Sequence, residues 1–200
     1  MRKSADLRKP EIVNAVLALA DTIGPDRVTT GAVASAIGVT QAALFRHFPS
    51  KVELWTAVAE TIATRLTAAW DEALKGKQSP QERLLSLAMA QLQQIAQTPA
   101  LPMLLFSREL NVENDELRTT FAGRLAALQL LLVREVSAGQ ASGLLRRDVA
   151  ANDAAVLLTS LIQGVAIRWS LGARNFNIEH EGKRLLKVNL QLLSTRRSST

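Results

Sequence analysis

The chain of 200 residues contains no cysteine. That excludes a disulfide framework, a thiolate metal site and a cysteine nucleophile. The two histidines, His47 and His180, are too few and too far apart for a histidine-rich metal site. No metal and no cofactor are therefore expected. Aromatic residues make up only 4%, and strand patterns are nearly absent. HExxH, GxSxG, P-loop and Rossmann glycine motifs are all missing. The acidic pairs Asp71-Glu72 and Asp115-Glu116 are adjacent, so on a helix they do not face one another as a catalytic pair would. These absences speak against an enzyme. The uncharged run tested as a membrane span, Ala154 to Ile167, is 14 residues long, short of the roughly 18 that a crossing helix needs. The charges at the N-terminus have no apolar run behind them, so no signal peptide is read and the cytoplasm is the expected location.

What remains is a soluble globular composition. Hydrophobic residues are 48% and charged residues 21%, enough to build a core without covalent staples. The formal net charge of +6 favours anionic partners without naming one.

Apolar residues recur at spacings of three and four almost everywhere, which predicts an all-α fold of about nine helices. Pro10 is placed at the start of a first helix, which Gly24-Pro25 stops. A short second helix follows Thr29-Thr30 and ends at Gly38. Thr40 is expected to cap a third, Gln41 to His47, with Pro49 beyond it. Ser50-Lys51-Val52-Glu53 and Ser79-Pro80-Gln81-Glu82 read as capping boxes that open two longer helices. Between Pro99 and Asn114 one small helix is expected, from Met103 to Leu110. Gly139 and Gly143 are expected to end the helix that begins near Asp115. Two more helices are expected, from about Asn152 to Leu171 and from about Ile178 to Leu193. The tail from Ser194 is polar and expected to be mobile.

The segment Thr30 to Phe48 carries the chemistry. A helix-turn-helix needs a small residue where its two helices cross, and Ala34 supplies it. It needs a position that tolerates positive φ, and Gly38 supplies that. Val33, Ile37, Val39 and Leu44 stand where the pair must pack. The outer side of the second helix must be short enough to enter a major groove, as Thr40, Gln41, Ala42 and Ala43 are. A plain αα-hairpin with a glycine cap is the alternative. Phe45-Arg46-His47-Phe48-Pro49-Ser50-Lys51, followed by Glu53-Leu54, weighs against it.

This segment resembles the DNA-binding domain of the TetR family of bacterial transcriptional regulators. The resemblance covers about residues 10 to 55; beyond it only helix number, length and order are alike. It implies a helix-turn-helix domain over 1–55 and a helical effector-binding and dimerisation domain over 56–200. It implies binding to double-stranded DNA at a palindromic operator, as a homodimer, with release by a small-molecule effector. Thr30 then contacts a phosphate, Thr40, Gln41 and Ala42 open the recognition helix, and Lys51 clamps phosphate at a helix N-terminus. The Gln41 amide suits adenine, and the Ala42 methyl suits thymine. The family usually has tyrosine where this chain has Phe45, which packs against sugar but cannot donate. Arg46 either compensates or is solvated. His47 reads first as a packed residue near the helix junction, with a phosphate contact as the alternative. Arg2, Lys3, Arg8 and Lys9 form a basic arm that could follow the DNA.

Ala154 to Ile167 is apolar nearly all round, which suits an interface better than a monomer's surface. Leu157, Ser160, Leu161, Gly164 and Trp169, with Leu186, Leu190 and Leu193 of the last helix, are the expected dimer face, a two-fold four-helix bundle. The alternative is that these helices are simply the core of one large domain. Trp70, Met89, Met103, Phe106, Phe121 and Leu125 are candidate walls of an effector pocket. Arg108, Glu109, Gln93 and Arg124 are its candidate polar anchors. An architectural or partner-regulated DNA-binding protein without a small ligand is the competing function.

Overall fold

The three-and-four spacing folds as helix almost throughout. The protein, seen in a computed structural model, is described here for residues 5–76 and 79–195. Its elements run α1 (Ala5–Ile23), a 3₁₀ turn (Pro25–Arg27), α2 (Thr30–Ala36), α3 (Gln41–Phe45), α4 (Lys51–Ala73), α5 (Pro80–Gln97), α6 (Leu101–Phe106), α7 (Arg108–Glu113), α8 (Asp115–Ala141), α9 (Ala151–Leu171) and α10 (Ile178–Leu193). Among the described residues there is no strand, only an isolated antiparallel bridge between Leu145 and Ser194. The all-α expectation holds.

Besides α3, which ends at Phe45 instead of His47, three boundaries differ from expectation. Pro10 lies inside α1 rather than opening it. Pro10 is the sixth residue of α1, past the four N–H groups at a helix start that lack an intrahelical acceptor, so its ring costs the helix one backbone bond, to the Asp6 carbonyl, with only one turn preceding it. Arg8 and Lys9 consequently belong to α1 and not to an arm ahead of it. Arg2, Lys3 and the end of the polar tail, 196–200, lie outside the described residues.

The single helix expected over 103–110 is two helices, broken at Ser107. That residue is extended (φ −67°, ψ 109°), and its hydroxyl accepts from the Leu110 N–H at 3.0 Å, capping α7. The same hydroxyl donates to the Asp26 carboxylate. A serine that satisfies the next helix and a neighbouring loop competes with continuation of its own helix. Finally, α8 runs through Gly139 to Ala141, and the chain turns at Gly143, whose φ is +74°. Gly139 serves packing instead: a Cβ there would lie 2.7 Å from Leu145 Cδ1.

The chain forms two compact units. One comprises the described residues through Thr64 together with Thr98–Ala122. Its core is built from Ile12, Val13, Val16 and Ala20 of α1, Val33 and Ala34 of α2, Leu44 of α3, and Leu54, Trp55, Val58 and Ile62 of α4. Leu101, Leu104, Leu110, Leu117 and Phe121 are buried in its second segment. The Thr56 hydroxyl donates to Glu116 Oε2 at 2.9 Å, tying α4 to the start of α8.

The other unit comprises Arg65–Gln97 and the described residues from Gly123 onward. Here α10 packs on α5 and α9. The expected capping box at Ser79 is reciprocal, whereas at Ser50 the serine caps the Glu53 N–H and it is the Ser50 hydroxyl that donates to the Glu53 carboxylate. Glu82 N–H donates to Ser79 Oγ at 3.3 Å, and Ser79 N–H donates to Glu82 Oε2 at 2.7 Å. The Ser79 backbone and hydroxyl donors hold the Glu82 carboxyl below its ordinary range. The buried Glu135 carboxylate accepts from Arg83 Nε at 2.6 Å and from Arg134 Nε at 2.9 Å, joining α8 to α5. By length and composition α9 is apolar enough to cross a membrane, which the shorter run read from sequence was not. Its Ala155, Leu158, Ile162, Val165 and Trp169 are buried within the unit, as in a soluble core helix.

Helix α10 comes close to α5 at Gly182, where an added Cβ would lie 2.2 Å from Leu92 Cδ1, and Leu92 is itself fully buried. Gly182→Ala therefore overpacks the core. It should cost about 1–3 kcal/mol in urea denaturation, and Leu92→Ala in the same chain should recover part of that loss. Strictly additive losses would show that the two positions do not meet.

Candidate nucleic-acid interface

The geometry of residues 29–51 follows from a few local choices. Thr29, in extended conformation, caps α2 by accepting the Ala32 N–H at 3.1 Å. Ile37 ends that helix, and Gly38 follows at φ +66°. The Gly38 N–H then donates to Ser35 O at 3.1 Å, and the Val39 N–H to Ala34 O at 2.9 Å. This pair of backward bonds is a Schellman closure, which needs the left-handed residue at Gly38. Nothing lies within 4 Å of a Cβ built there, so the requirement is backbone conformation and not space.

The chain emerges into Thr40, which caps α3 by accepting the Ala43 N–H at 3.2 Å. Ala34 and Leu44 are buried, which brings α2 and α3 together on small and apolar contacts. The outer residues of α3, Gln41 and Ala42, are exposed, as are Thr40, Phe45 and Arg46. Thr30 is half-buried at the first position of α2, and the Gln41 Nε2 donates to its hydroxyl at 2.6 Å. Two residues eleven apart in sequence thus share one polar spot beside the start of α3.

His47 is half-buried, with its backbone N–H on Leu44 O at 2.9 Å. Phe48 is buried, and Lys9 Nζ stands 5.7 Å from the centre of its ring, a cation–π contact that sequence spacing did not suggest. Ser50 caps α4, accepting the Glu53 N–H at 3.1 Å. Lys51 is exposed at the first position of that helix. Thr30, Thr40, Gln41, Ala42, Phe45, Arg46, His47 and Lys51 therefore all belong to one unit and bracket the α2–α3 turn.

The expected dimer face divides in two. Leu157 is 53% exposed, Ser160 and Gly164 are exposed, and Leu161 is half-buried, so α9 carries an open stripe with small residues along it. Trp169, Leu186, Leu190 and Leu193 are buried inside their own unit and are corrected to core. Helix α10 turns these leucines toward α5 and α9. The Arg174 guanidinium lies 5.4 Å from the Trp169 ring. The apolar residues that α10 leaves open are Val188 and Leu192, the latter 67% exposed. Sequence reasoning missed them because they stand off the leucine repeat.

The pocket candidates are also divided. Trp70, Met89 and Leu125 lie in one unit, and Met103, Phe106 and Phe121 in the other. Trp70 is buried and donates from Nε1 to Gln91 Oε1 at 3.0 Å. Phe121 is buried; Met89 and Met103 are half-buried. Phe106 is 56% exposed and Leu125 45%. Those two are corrected: they face solvent instead of walling an enclosed space. Of the anchors, Arg124 donates to Thr67 Oγ1 at 2.9 Å, while Gln93, Arg108 and Glu109 are exposed.

Comparison with known proteins agrees with this geometry. Residues 12–58 match the family described as bacterial regulatory proteins, tetR family. Residues 80–192, more than half of the chain, match the description "BetI-type transcriptional repressor, C-terminal". The chain belongs to the TetR family. It is a DNA-binding transcriptional regulator, with the fold and family of regulators and not of enzymes. The nucleoid occlusion factors SlmA of Vibrio campbellii and of Salmonella newport are each 32% identical to it over 112 residues, 56% of this chain and 57% of theirs. The match thus spans little more than half the length of these relatives. The ketosteroid transcriptional regulator KstR2 of Mycobacterium tuberculosis superposes with a TM-score of 0.80 at 18% identity, over 98% of each chain. A protein of Saccharomonospora viridis, solved in complex with choline, superposes at 0.81 and 20%, over 96% of this chain and 100% of that one. At these identities the structural likeness shows the fold.

Within the family frame Lys51 has a measurable expectation. Lys51→Ala should weaken binding to every duplex alike and flatten the plot of log affinity against log salt. The slope should change by about 0.9 for each lost phosphate contact. An unchanged slope removes Lys51 from the interface.

Proposed function

We propose that this regulator is a homodimeric repressor that binds a palindromic operator in the cytoplasm and leaves it when a small, largely apolar effector binds. The observation that carries the DNA half is the exposed edge of α3, where Gln41 and Ala42 stand clear of a turn fixed by Gly38. A five-residue helix presents its first turn to a major groove, with Gln41 reading an adenine edge and the Ala42 methyl meeting a thymine methyl. Thr30, Thr40 and Lys51 hold phosphates on either side, Phe45 packs on sugar, and Arg46 and His47 lie along the backbone. These roles are assigned to residues 1–55, and effector binding and dimerisation to residues 56–200.

A single helix-turn-helix reads few base pairs, so two must be held at a fixed half-site spacing. The open stripe on α9, Leu157, Ser160, Leu161 and Gly164, with Val188 and Leu192 of α10, is the surface that a second copy would cover. Small residues four apart let two helices approach closely. The match to a BetI-type repressor C-terminal region supports repression. An effector releases DNA only by binding the wrong half-site spacing more tightly than the right one. A swing from 1:99 to 99:1 takes about 5.5 kcal/mol of that difference, which favours an effector that buries apolar surface. Trp70 and Met89, which belong to the same unit, remain candidate contacts.

The relation to the nucleoid occlusion factors supports a second reading, in which a protein partner, and not a small molecule, regulates DNA binding. Release of bound duplex by a small molecule that also raises the melting temperature favours the first reading.

The test of the proposal is selection of bound duplexes from a random pool, paired with sedimentation. Wild-type protein should sediment as a dimer and recover an inverted repeat. Ser160→Arg, on an exposed position, should sediment as a folded monomer and recover at most a half-site. A monomeric wild type that recovers no repeat defeats the reading.

A further inference from the structure

The contact between Thr30 and Gln41 does more than join two neighbours. Gln41 Nε2 donates to Thr30 Oγ1 at 2.6 Å. An amide has two N–H donors and one carbonyl acceptor, and rotation about its last torsion exchanges the two ends. Once one N–H is spent on Thr30, the other N–H and Oε1 are the groups left for a ligand. That remaining pair, one acceptor and one donor, complements adenine, whose N6 amino group donates and whose N7 accepts. Guanine offers two acceptors, O6 and N7, and would meet the Gln41 carbonyl with like polarity.

The hydroxyl of Thr30 is also committed by this bond. It accepts from Gln41, so its own proton is available to an acceptor elsewhere. The backbone cap of α2 is made by Thr29 and not by Thr30, so the Thr30 hydroxyl is not needed to hold the helix. On bound DNA the natural acceptor for that proton is a phosphate oxygen. Hydrogen bonds of this kind polarise one another in sequence.

We propose that Thr30 is a positioning residue for base reading: by accepting from Gln41 it fixes which end of the amide faces the groove, selects an adenine edge, and couples that readout to a phosphate through its own proton. This rests on the reading of Gln41 as a base contact. The bond joins the phosphate-holding helix α2 to the base-reading helix α3, so the adenine is read only when the backbone is seated.

The experiment uses the full chain and duplexes carrying the inverted repeat recovered by selection, with each of the four bases in turn at the position facing Gln41, at one salt concentration. The proteins compared are wild type, Gln41→Ala, Thr30→Val and Thr30→Ser. Thr30→Val keeps the shape and removes the hydroxyl; Thr30→Ser restores it. Thermal melts of each variant confirm folding. The wild type should prefer adenine over guanine. Gln41→Ala should abolish the preference, Thr30→Val should reduce it about threefold to tenfold, and Thr30→Ser should restore it. Thr30→Val that weakens binding equally to all four duplexes, with the adenine preference intact, overturns the positioning role and leaves Gln41 as a reader. A preference that survives Gln41→Ala overturns the base-contact reading itself.

Discussion

The DNA-reading end of this molecule depends on one left-handed residue. Gly38, at φ +66°, lets the Gly38 and Val39 N–H groups turn back onto Ser35 and Ala34. For any residue with a Cβ that conformation costs about 1–2 kcal/mol. With the turn closed, Ala34 and Leu44 meet in the core and α3 is held at a set angle to α2. A helix of five residues has no stability of its own. It exists because Thr40 caps it, Leu44 anchors it and Gly38 aims it. Its outer residues need only be short and polar or small, and they are.

The second unit solves a different problem, which is how to bury α9 on one side and leave it open on the other. Gly182 lets α10 come against Leu92 of α5, closing the inner side with almost no space to spare. Glu135 is buried between Arg83 and Arg134. Such a group is expensive to bury and worse to leave unpaired, so it favours the one arrangement of α5 and α8 that satisfies it. The outer side of α9 keeps Leu157, Ser160 and Gly164 in solvent. Two protomers meeting there would give the regulator the fixed spacing that a repeated operator demands.

Much of this was legible in the sequence because it is local. The caps at Thr40, Ser50 and Ser79, the turn at Gly38 and the small residue at Ala34 act within a few residues of themselves. The errors concern what lies across space. Periodicity shows that Leu186, Leu190 and Leu193 share a face, but not whether that face meets its own chain or another. It meets α5 and α9. Residue type suggests Phe106 and Leu125 as pocket walls, but type does not show which side of a helix the packing leaves open, and both are exposed. Ser107 carries a local signal, a residue type that caps helices, but nothing in the spacing of 103–110 requires a break there. The bond between Gln41 and Thr30 spans eleven residues and two helices, so no spacing rule announces it.

As proposed above, the α2–α3 turn presents a sequence-reading surface and not merely a basic one. The most direct measurement is a titration of one protein preparation against the selected inverted repeat and a scrambled duplex of equal length and composition, at matched salt. Reading by α3 predicts tighter binding to the repeat by three orders of magnitude or more. Equal affinity for the two duplexes, falling together as salt rises, would contradict it and leave only electrostatic attraction.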